Sequence, residues 1–194
     1  MQLWLNSLLY YDAVSRLRVC PAHARYGHPS FLSEDEDLNN FLIEDAKNYS
    51  ADLMAVTYLF IDKEKKQTVA YFSLLNDKVA YDPRYKTIWG RINRRIHNSK
   101  RRRSYPSAKI GRLAVSKEYA CNGLGSQILY LIKSYLVNNP KLGCRFITVD
   151  AYAKATDFYR KNDFEYFTVT DTLDATRLMY FDLKPFKEEL ESEQ

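Results

Sequence analysis

Two glycines, Gly123 and Gly125, lie where an apolar stretch gives way to a helical pattern. The apolar stretch from Ile110 to Val115 has the character of a buried strand. The pattern behind the glycines consists of Leu124, Ile128, Leu131, Ile132 and Tyr135, spaced by three or four residues. A turn through glycines lets a diphosphate approach the backbone, and the N–H groups of the following helical turn attract anions. The segment therefore predicts a phosphate-binding loop, although an ordinary strand-to-helix connection shares the pattern.

A second patterned stretch follows the loop. Residues 145–152 predict a strand, residues 154–161 a short helix and residues 164–167 an aromatic strand. The two stretches together resemble the GNAT superfamily of acyl-CoA N-acyltransferases. The [RQ]xxGx[GA] signature of that family corresponds to ACNGLG at 120–125, and its FYxxxGF segment corresponds to FYRKNDF at 158–164. Two positions differ from the family pattern. Ala120 stands in place of Arg or Gln, and Asp163 replaces a glycine but can still adopt the left-handed conformation.

The rest of the chain fits the order of elements in that family. The resemblance covers roughly 33–183 and implies one α/β (α+β) domain over 1–194 with the GNAT fold. That fold is a central mixed, largely antiparallel sheet flanked by helices, with a splayed central strand. The other predicted elements are a folded terminus at 1–12, an edge strand at 16–19, a helix over about 35–49, a hairpin of strands 53–61 and 68–75, a last strand over 177–183, and a solvated tail after Pro185.

The resemblance implies acetyl-CoA as the cofactor. In the family arrangement the pantetheine arm pairs with backbone groups of the central strand, which here are those of Leu113, Ala114 and Val115. The pyrophosphate then binds the loop formed by Ala120, Cys121, Asn122, Gly123, Leu124, Gly125 and Ser126. Tyr159 matches the family tyrosine near the thioester sulfur and is the expected general acid, since its ordinary pKa of about 10 exceeds the thiol's pKa of about 8.5. Packing is the alternative role for Tyr159, which is one of 16 tyrosines.

The attacking amine must also lose a proton, and the central strand offers no Asp or Glu as a base. Either water accepts that proton, or the substrate is an α-amine, which titrates near pH ~8 and is partly neutral already. Cys121 beside the helix N-terminus is explained by its position in the loop rather than by nucleophilic catalysis.

A basic insertion at about 82–106 supplies the positive charge of the chain. Nine of the 29 Lys and Arg residues lie between Arg84 and Arg103, where no Asp or Glu occurs. The other 20 basic residues face 24 acidic ones, so the formal net charge of +5 comes from this segment. An apolar stripe at helical spacing predicts a docked basic helix and consists of Ile88, Trp89, Ile92 and Ile96. Such a helix can bind a polyanion, or it can be a solvated surface with a flexible arginine arm behind it.

Three segments are most similar to the toxin-like branch of the family, which includes toxins that acetylate aminoacyl-tRNA. They are the helix around Phe41, the strand from Gly111 to Val115, and the Phe158-Tyr159 pair. A charged tRNA is therefore the leading acceptor, and the expected RNA-binding residues are Arg94, Arg95, Arg101, Arg102, Arg103 and Arg112. The resemblance also allows an antitoxin and a homodimer as partners. Two alternatives stay open: an acetyltransferase acting on a small-molecule or protein amine, and a non-catalytic RNA-binding module.

Scattered cysteines and histidines limit the chemistry of the site. Cys20, Cys121 and Cys144 form no CxxC pair, and the three histidines have no metal-ligand spacing, so neither a disulfide nor a metal is expected. No apolar run approaches the ~20 residues that span a bilayer. These features favour a cytoplasmic protein that does not bind membranes.

Overall fold

The computed structural model describes residues 17–22, 31–97, 102–138, 143–168, 171 and 174–192. The expected folded terminus at 1–12, His23, His28 and Arg101 lie outside the described residues, as does the side chain of Arg84. In chain order the elements are β1 (Leu17–Pro21), α1 (Glu36–Asn40), a π-helical turn (Phe41–Asp45), α2 (Ala46–Ala51), β2 (Val56–Asp62), β3 (Thr68–Ala80), α3 (Lys86–Arg94), β4 (Ser104–Val115), α4 (Leu124–Asn138), β5 (Phe146–Tyr152), α5 (Thr156–Lys161), β6 (Glu165–Tyr166), β7 (Thr176–Asp182) and α6 (Leu183–Ser192).

Seven strands of the described residues form one mixed sheet in the order β1-β2-β3-β4-β5-β7-β6. The pairs β1–β2, β2–β3, β5–β7 and β6–β7 are antiparallel. The predicted class, a sheet combined with helices in the GNAT order, is confirmed. The splay expected of the central strand β4 stays a prediction.

The chain divides into two compact units, each formed by two segments. Unit 1 comprises Met1–Leu75 and Ile110–Leu131, and unit 2 comprises Asn76–Lys109 and Ile132–Gln194. The boundaries fall inside β3, β4 and α4, so each of these elements contributes residues to both units. The expectation of a single domain over 1–194 stays a prediction.

Unit 1 contains the first predicted helix, which has three parts: α1, the π turn and α2. The structure confirms the predicted span and adds the π turn in its middle. Asp35 caps the start, because its carboxylate accepts a hydrogen bond from the N–H group of Asp37 at 3.1 Å. The π turn directs Phe41, Leu42 and Ala46 into the core, and all three are buried. The wide turn therefore serves the core rather than interrupting the helix.

The hairpin of β2 and β3 is also confirmed in unit 1. Its turn is closed by Asp62, whose carboxylate accepts hydrogen bonds from two backbone N–H groups at 2.9 Å each. Tyr71 on β3 is fully buried and donates its hydroxyl to the Leu38 carbonyl at 2.6 Å. This hydrogen bond ties the first helix to the sheet.

β3 and β4 extend further than predicted. The sequence predicts strands over 68–75 and 110–115, whereas β3 ends at Ala80 and β4 begins at Ser104. The backbone N–H of Tyr81 donates to the Arg103 carbonyl at 2.8 Å, so the insertion leaves and returns at paired strand ends. The extensions carry many polar residues, which hid their strand character from an apolar pattern.

α3 is the predicted basic helix, and its apolar stripe packs in the core of unit 2. Trp89 and Ile92 are buried, while Ile88 and Ile96 are partly buried. The buried residues packed in the same cluster are Val79, Tyr105, Phe146, Phe167 and Tyr180. The prediction of a docked amphipathic helix is therefore confirmed within this unit.

The C-terminal segment is a helix, not the solvated tail that the sequence suggested. α6 begins at Leu183, so Pro185 lies in its first turn, where a missing N–H costs no hydrogen bond. Lys184 pairs with Glu188 at 3.3 Å and Lys187 pairs with Glu191 at 3.4 Å, one helical turn apart in each case. The prediction was wrong because it took Pro185 as a helix terminator rather than a first-turn residue.

Candidate functional site

The strand before the predicted phosphate-binding loop is fixed in unit 1 by burial and by a backbone hydrogen bond. Ala114 is buried, and its neighbours Leu113 and Val115 are partly buried. The next residue, Ser116, donates its N–H to the Val69 carbonyl on β3 at 2.8 Å. The end of β4 is thus anchored to β3, and the loop leaves from a fixed point.

The loop itself makes two left-handed turns within three residues. After a 3₁₀ turn at Lys117–Tyr119, Cys121 has φ 62° and Gly123 has φ 76°, and α4 begins at Leu124. Gly123 has the positive φ that a glycine turn permits, whereas Gly125 lies inside α4 without one. The left-handed conformation of Cys121 was not predicted, because nothing in its side chain favours it.

The loop has the features of an anion site. The first helical hydrogen bond recorded at this end joins the Gln127 N–H to the Gly123 carbonyl at 3.1 Å. The N–H groups of Leu124, Gly125 and Ser126 precede it and therefore have no intrahelical acceptor. A side-chain atom added at Gly123 would meet no described atom within 4 Å. N–H groups without an intrahelical acceptor at a helix start can bind a pyrophosphate, which is what acetyl-CoA would present there.

The remaining predicted loop residues surround this opening. Cys121, Asn122 and Ser126 are exposed, whereas Leu124 is buried. The small side chain of Ala120 offers no charge to a phosphate, so binding here depends on backbone groups. Tyr119 connects the start of the loop to the β2–β3 hairpin, because its hydroxyl donates to the Asp62 carboxylate at 3.0 Å.

Tyr159, the predicted general acid, lies on α5 in unit 2. Its side chain is 6% exposed, and its ring contacts those of Phe158 and Phe164 edge to face, with centroid distances of 5.1 and 5.3 Å. Burial raises the pKa of the Tyr159 hydroxyl well above its usual range. The hydroxyl is protonated at neutral pH, as an ordinary tyrosine is, and burial makes it a weaker acid.

The turn that follows Tyr159 is tightly bonded. Asp163 has φ 65°, which confirms the left-handed conformation predicted for it. The N–H groups of Asn162 and Phe164 both donate to the Tyr159 carbonyl at 3.0 Å. The Asn162 side chain adds a hydrogen bond to the Phe158 carbonyl at 2.8 Å. These bonds fix the end of α5 and with it the tyrosine backbone.

Lys133 supports the same turn and was missed by sequence reasoning. It is buried on α4, and its Nζ donates to the Asn162 carbonyl at 2.8 Å. The ammonium also lies 3.7 Å from the Asp163 carboxylate and 3.8 Å from the centre of the Phe181 ring. Burial lowers the pKa of Lys133, and Asp163 offsets this only in part. The one available signal was a single lysine within the apolar part of a helix.

The basic helix α3 uses two of its arginines to bind β6. Arg91 pairs with Glu165 at 2.9 Å and donates to the Tyr180 hydroxyl at 3.2 Å. Arg95 pairs with the same carboxylate at 3.7 Å. About half of each side chain is exposed, so these pairs orient α3 more than they stabilise it.

The six residues predicted to bind RNA do not form one group. Arg94, Arg102 and Arg103 line a common cavity in unit 2, whereas Arg95 is engaged by Glu165. Arg112 belongs to unit 1, where it lies 3.6 Å from the Asp37 carboxylate and stacks over Phe41 at 5.1 Å. Arg101 lies outside the described residues. The structure therefore assembles three of the six arginines.

The described part of the chain contains neither a candidate metal site nor a candidate membrane span. No group of three His, Cys, Asp or Glu residues there could hold a metal ion. No described helix is long and apolar enough to cross a membrane.

The chain matches a known family model in sequence and several solved structures in fold. A family model described as an acetyltransferase (GNAT) domain matches residues 36–174. No curated protein matches the sequence significantly. A solved structure of a bacterial toxin has a TM-score of 0.75 at 13% identity, covering 90% of this chain and 95% of that one. A mutant AtaT toxin, bound to the C-terminus of the antitoxin AtaR and acetyl-CoA, has a TM-score of 0.68 at 17% identity, with 90% and 98% covered. AtaT complexed with acetyl-methionyl-tRNAfMet has a TM-score of 0.71 at 16% identity, with 90% and 99% covered. At these identities, the structural likenesses show a shared fold.

Proposed function

Because this chain belongs to the acetyltransferase (GNAT) domain family, we propose that it transfers an acetyl group from acetyl-CoA to a primary amine by direct attack. The observation that carries the proposal is the loop after β4. Two left-handed residues and an open helix start present backbone N–H groups to an anion, without any positively charged side chain among residues 120–126. A structural neighbour of this fold carries acetyl-CoA.

When bound, acetyl-CoA supplies the activated acetyl thioester. In the transfer, the amine nitrogen would form a bond to the acetyl carbon as the carbon–sulfur bond breaks, and the thiolate would leave with the electron pair. Tyr159, whose hydroxyl is protonated at neutral pH, would give its proton to that sulfur. Backbone groups of Leu113, Ala114 and Val115 align the pantetheine arm. The amine loses its proton to water, because β4 carries no Asp or Glu.

We infer further that the acceptor amine is carried by RNA, with an aminoacyl-tRNA as the leading substrate. The α-amine of an aminoacyl ester is a good nucleophile near neutral pH because its pKa is low, near ~8. The cluster of Arg94, Arg102 and Arg103 supplies charge for a phosphate backbone. A neighbour of the same fold is complexed with acetyl-methionyl-tRNAfMet, which supports this choice. In this role the chain would be the toxin of a toxin–antitoxin pair, localised in the cytoplasm.

A dedicated antitoxin and a second copy of the chain are the proposed protein partners. An AtaT structure with the antitoxin AtaR supports the first. Unit 1 exposes several large apolar side chains that a partner could cover, and these are Leu32, Ile43, Leu53, Met54 and Val56. Light scattering of the purified chain, alone and with a co-expressed neighbouring gene product, distinguishes the two.

The central experiment offers labelled acetyl-CoA together with charged tRNA, peptides or polyamines. Acetylation of the charged tRNA with a higher kcat/KM than the other amines supports the full proposal. Preference for a peptide or polyamine would keep the transferase and overturn its RNA substrate. Calorimetric titration with acetyl-CoA runs in parallel. Absence of binding at millimolar cofactor would overturn the transferase itself and favour a non-catalytic module.

A further inference from the structure

A cavity of about 810 Å³ opens beside α3 within unit 2. Four cationic side chains line it: Lys86, Arg94, Arg102 and Arg103. No acidic residue is among its lining residues, and none of the four cations forms an ion pair within the described part of the chain. A concave surface with unneutralised positive charge attracts an anionic ligand.

Aromatic rings form the other side of the cavity. Trp89 is stacked on Tyr105 with a centroid distance of 5.4 Å, and Tyr81 meets Trp89 edge to face at 5.8 Å. Trp89 and Tyr105 are buried, whereas Tyr81 is 36% exposed and is the ring that a ligand can reach. The Tyr81 backbone N–H donates to the Arg103 carbonyl at 2.8 Å, and both residues line the cavity. Rings beside cations match the two parts of a nucleotide, its base and its phosphate.

Gly90 keeps the cavity open. It lies in the middle of α3, where glycine costs helix stability. A side-chain atom added there would meet no described atom within 4 Å. A glycine with free space in front of it leaves room for a ligand where a long side chain would project into the cavity.

We propose that this cavity binds an unpaired nucleotide of an RNA strand, with the base on Tyr81 and the flanking phosphates on Arg94, Arg102 and Arg103. The bases of a duplex are stacked and paired, so only a single-stranded segment can place a base in a concave site. The inference rests on the proposed function for its choice of RNA as ligand. It concerns binding, however, and requires no acetyl transfer.

The test measures fluorescence anisotropy of the full chain with two labelled probes at one fixed salt concentration. One probe is a single-stranded ten-nucleotide RNA, and the other is a blunt RNA duplex containing the same sequence. Gly90→Gln projects a long neutral side chain into the cavity and improves helix propensity, so it should fold. Tyr81→Leu removes the stacking surface. Gly90→Ala is the matched control, because a methyl group leaves most of the volume free.

Wild type should prefer the single strand. Gly90→Gln and Tyr81→Leu should each weaken single-strand binding by about tenfold and change duplex binding by less than about twofold. Gly90→Ala should bind both probes as wild type does. Unchanged single-strand affinity in Gly90→Gln, or an equal loss on both probes, would overturn the proposal. Competition by free AMP as strong as that by the RNA would overturn a strand as the occupant.

These outcomes separate the cavity from the enzyme. If the chain binds single-stranded RNA through the cavity but acetylates no charged tRNA, the substrate proposal fails and the cavity stands. If it acetylates an amine but no variant alters RNA binding, the cavity proposal fails and the transferase stands. Thermal unfolding of each variant confirms that the compared proteins are folded.

Discussion

The Tyr159 hydroxyl is the group on which the proposed chemistry depends. Tyr159→Phe keeps the edge-to-face contacts of the ring with Phe158 and Phe164. We expect kcat to fall by about 10²–10⁴-fold, the usual contribution of a positioned acid, with acetyl-CoA affinity unchanged. Steady-state kinetics and calorimetry on the same preparation check both parts. A variant with wild-type kcat would show that this tyrosine only packs.

The pH dependence of kcat tests the ionisation of Tyr159. Because burial raises the Tyr159 pKa, its ionisation should not lower kcat in wild type between about pH 7 and pH 10. An alkaline loss of activity that begins near pH 8 and disappears in Tyr159→Phe would contradict a raised pKa.

Lys133 should make stability depend on pH in a defined direction. Its pKa is lowered in the folded state, so between that value and the ordinary pKa of about 10.4 the unfolded chain binds the proton more strongly. Its contribution to the free energy of unfolding is therefore complete above the ordinary pKa and is lost as pH falls through the folded pKa. The stability of wild type relative to Lys133→Met should thus increase from neutral toward alkaline pH, as measured by urea denaturation.

Subtracting the variant from wild type is necessary, because Tyr159 and Tyr180 have raised pKa values and oppose this trend above about pH 10. Both tyrosines remain in the variant, so their contributions cancel. The same substitution at the exposed Lys187 is the control and should show the smaller pH dependence. A difference at Lys133 that does not vary with pH would contradict the prediction.

For single residues, the sequence predicted only those backbone conformations that follow from the residue type itself. Asp163 was expected to be left-handed because an acidic side chain at the end of a short helix tolerates that conformation. Cys121 adopts the same conformation only because the loop around it requires a reversal. Lys133 is buried only because folding brings α4 against the turn after α5. Cys121 carries no local sign of its conformation, and the only sign at Lys133 is its place as a single lysine within the apolar part of a helix.

The loop before α4 can be tested with an isosteric pair. Gly123→Asn and Gly123→Asp both tolerate the observed φ of 76°, and they differ in charge alone. If the loop binds the pyrophosphate of acetyl-CoA, Asp should weaken cofactor binding at least about tenfold more than Asn, since a carboxylate repels the phosphates. Calorimetric titration measures both dissociation constants. Equal affinities would mean that the phosphates bind elsewhere.

The contact between β3 and β4 can be tested by a double-mutant cycle. A Cβ atom at Gly111 would lie 2.8 Å from Leu75 Cδ2 and 3.0 Å from Ser73 Oγ. Gly111→Val should therefore lower the free energy of unfolding by about 1–3 kcal/mol, the usual cost of overpacking. In the background of Leu75→Ala the cost should be smaller, because the nearer atom is gone. Additive effects in denaturant melts would argue against a close approach at Gly111.

Most elements follow from periodicity, and the exceptions have physical reasons. The first helix, the hairpin and the loop with its helix are encoded by local apolar spacing. The extensions of β3 and β4 are polar and gain their strand conformation from pairing with each other. α6 was missed because the sequence alone does not distinguish a proline in the first turn of a helix from a proline that ends one. Its two lysine–glutamate pairs were a signal in the sequence that could have identified it.

Across the whole molecule, positive charge is concentrated in one segment, and this predicts that tRNA binding depends on salt through that segment. Arg102→Gln with Arg103→Gln should weaken binding of a charged tRNA and flatten its dependence on salt, by up to ~0.7–0.9 in log–log slope per lost phosphate contact. The acetylation of that tRNA should fall through a raised KM, while a small free amine is acetylated as before. Binding isotherms at four salt concentrations provide the slope.

The matched control is Lys184→Gln with Lys187→Gln, which removes the same net charge from the exposed face of α6. If both double variants flatten the salt dependence equally, the effect belongs to total charge and not to the insertion. An equal loss of activity on tRNA and on the small amine would show that the two arginines shape the protein rather than hold RNA.

The sequence located the basic segment of the molecule but not the form of its binding surface. A count of charges identified the insertion, and the apolar stripe predicted that its helix would dock. The division of the arginines was beyond such a count. Arg95 and Arg112 are held by carboxylates distant in sequence, Glu165 and Asp37. Gly90 gave no sign of its place beside a cavity, because its role depends on empty space.

The π turn at Phe41–Asp45 bears on how chains of this kind can vary in length. A π turn accommodates one residue more than an α-helical turn, and here both flanking helices still face the core. With one residue fewer, Phe41, Leu42 and the core alanine would be spaced i, i+1, i+4, which is an ordinary α-helical stripe. Ile43, 57% exposed, contributes little to that core. A relative that lacks one residue of 43–45 therefore keeps the helical spacing of these three buried side chains, so the core tolerates a one-residue difference in length at this turn.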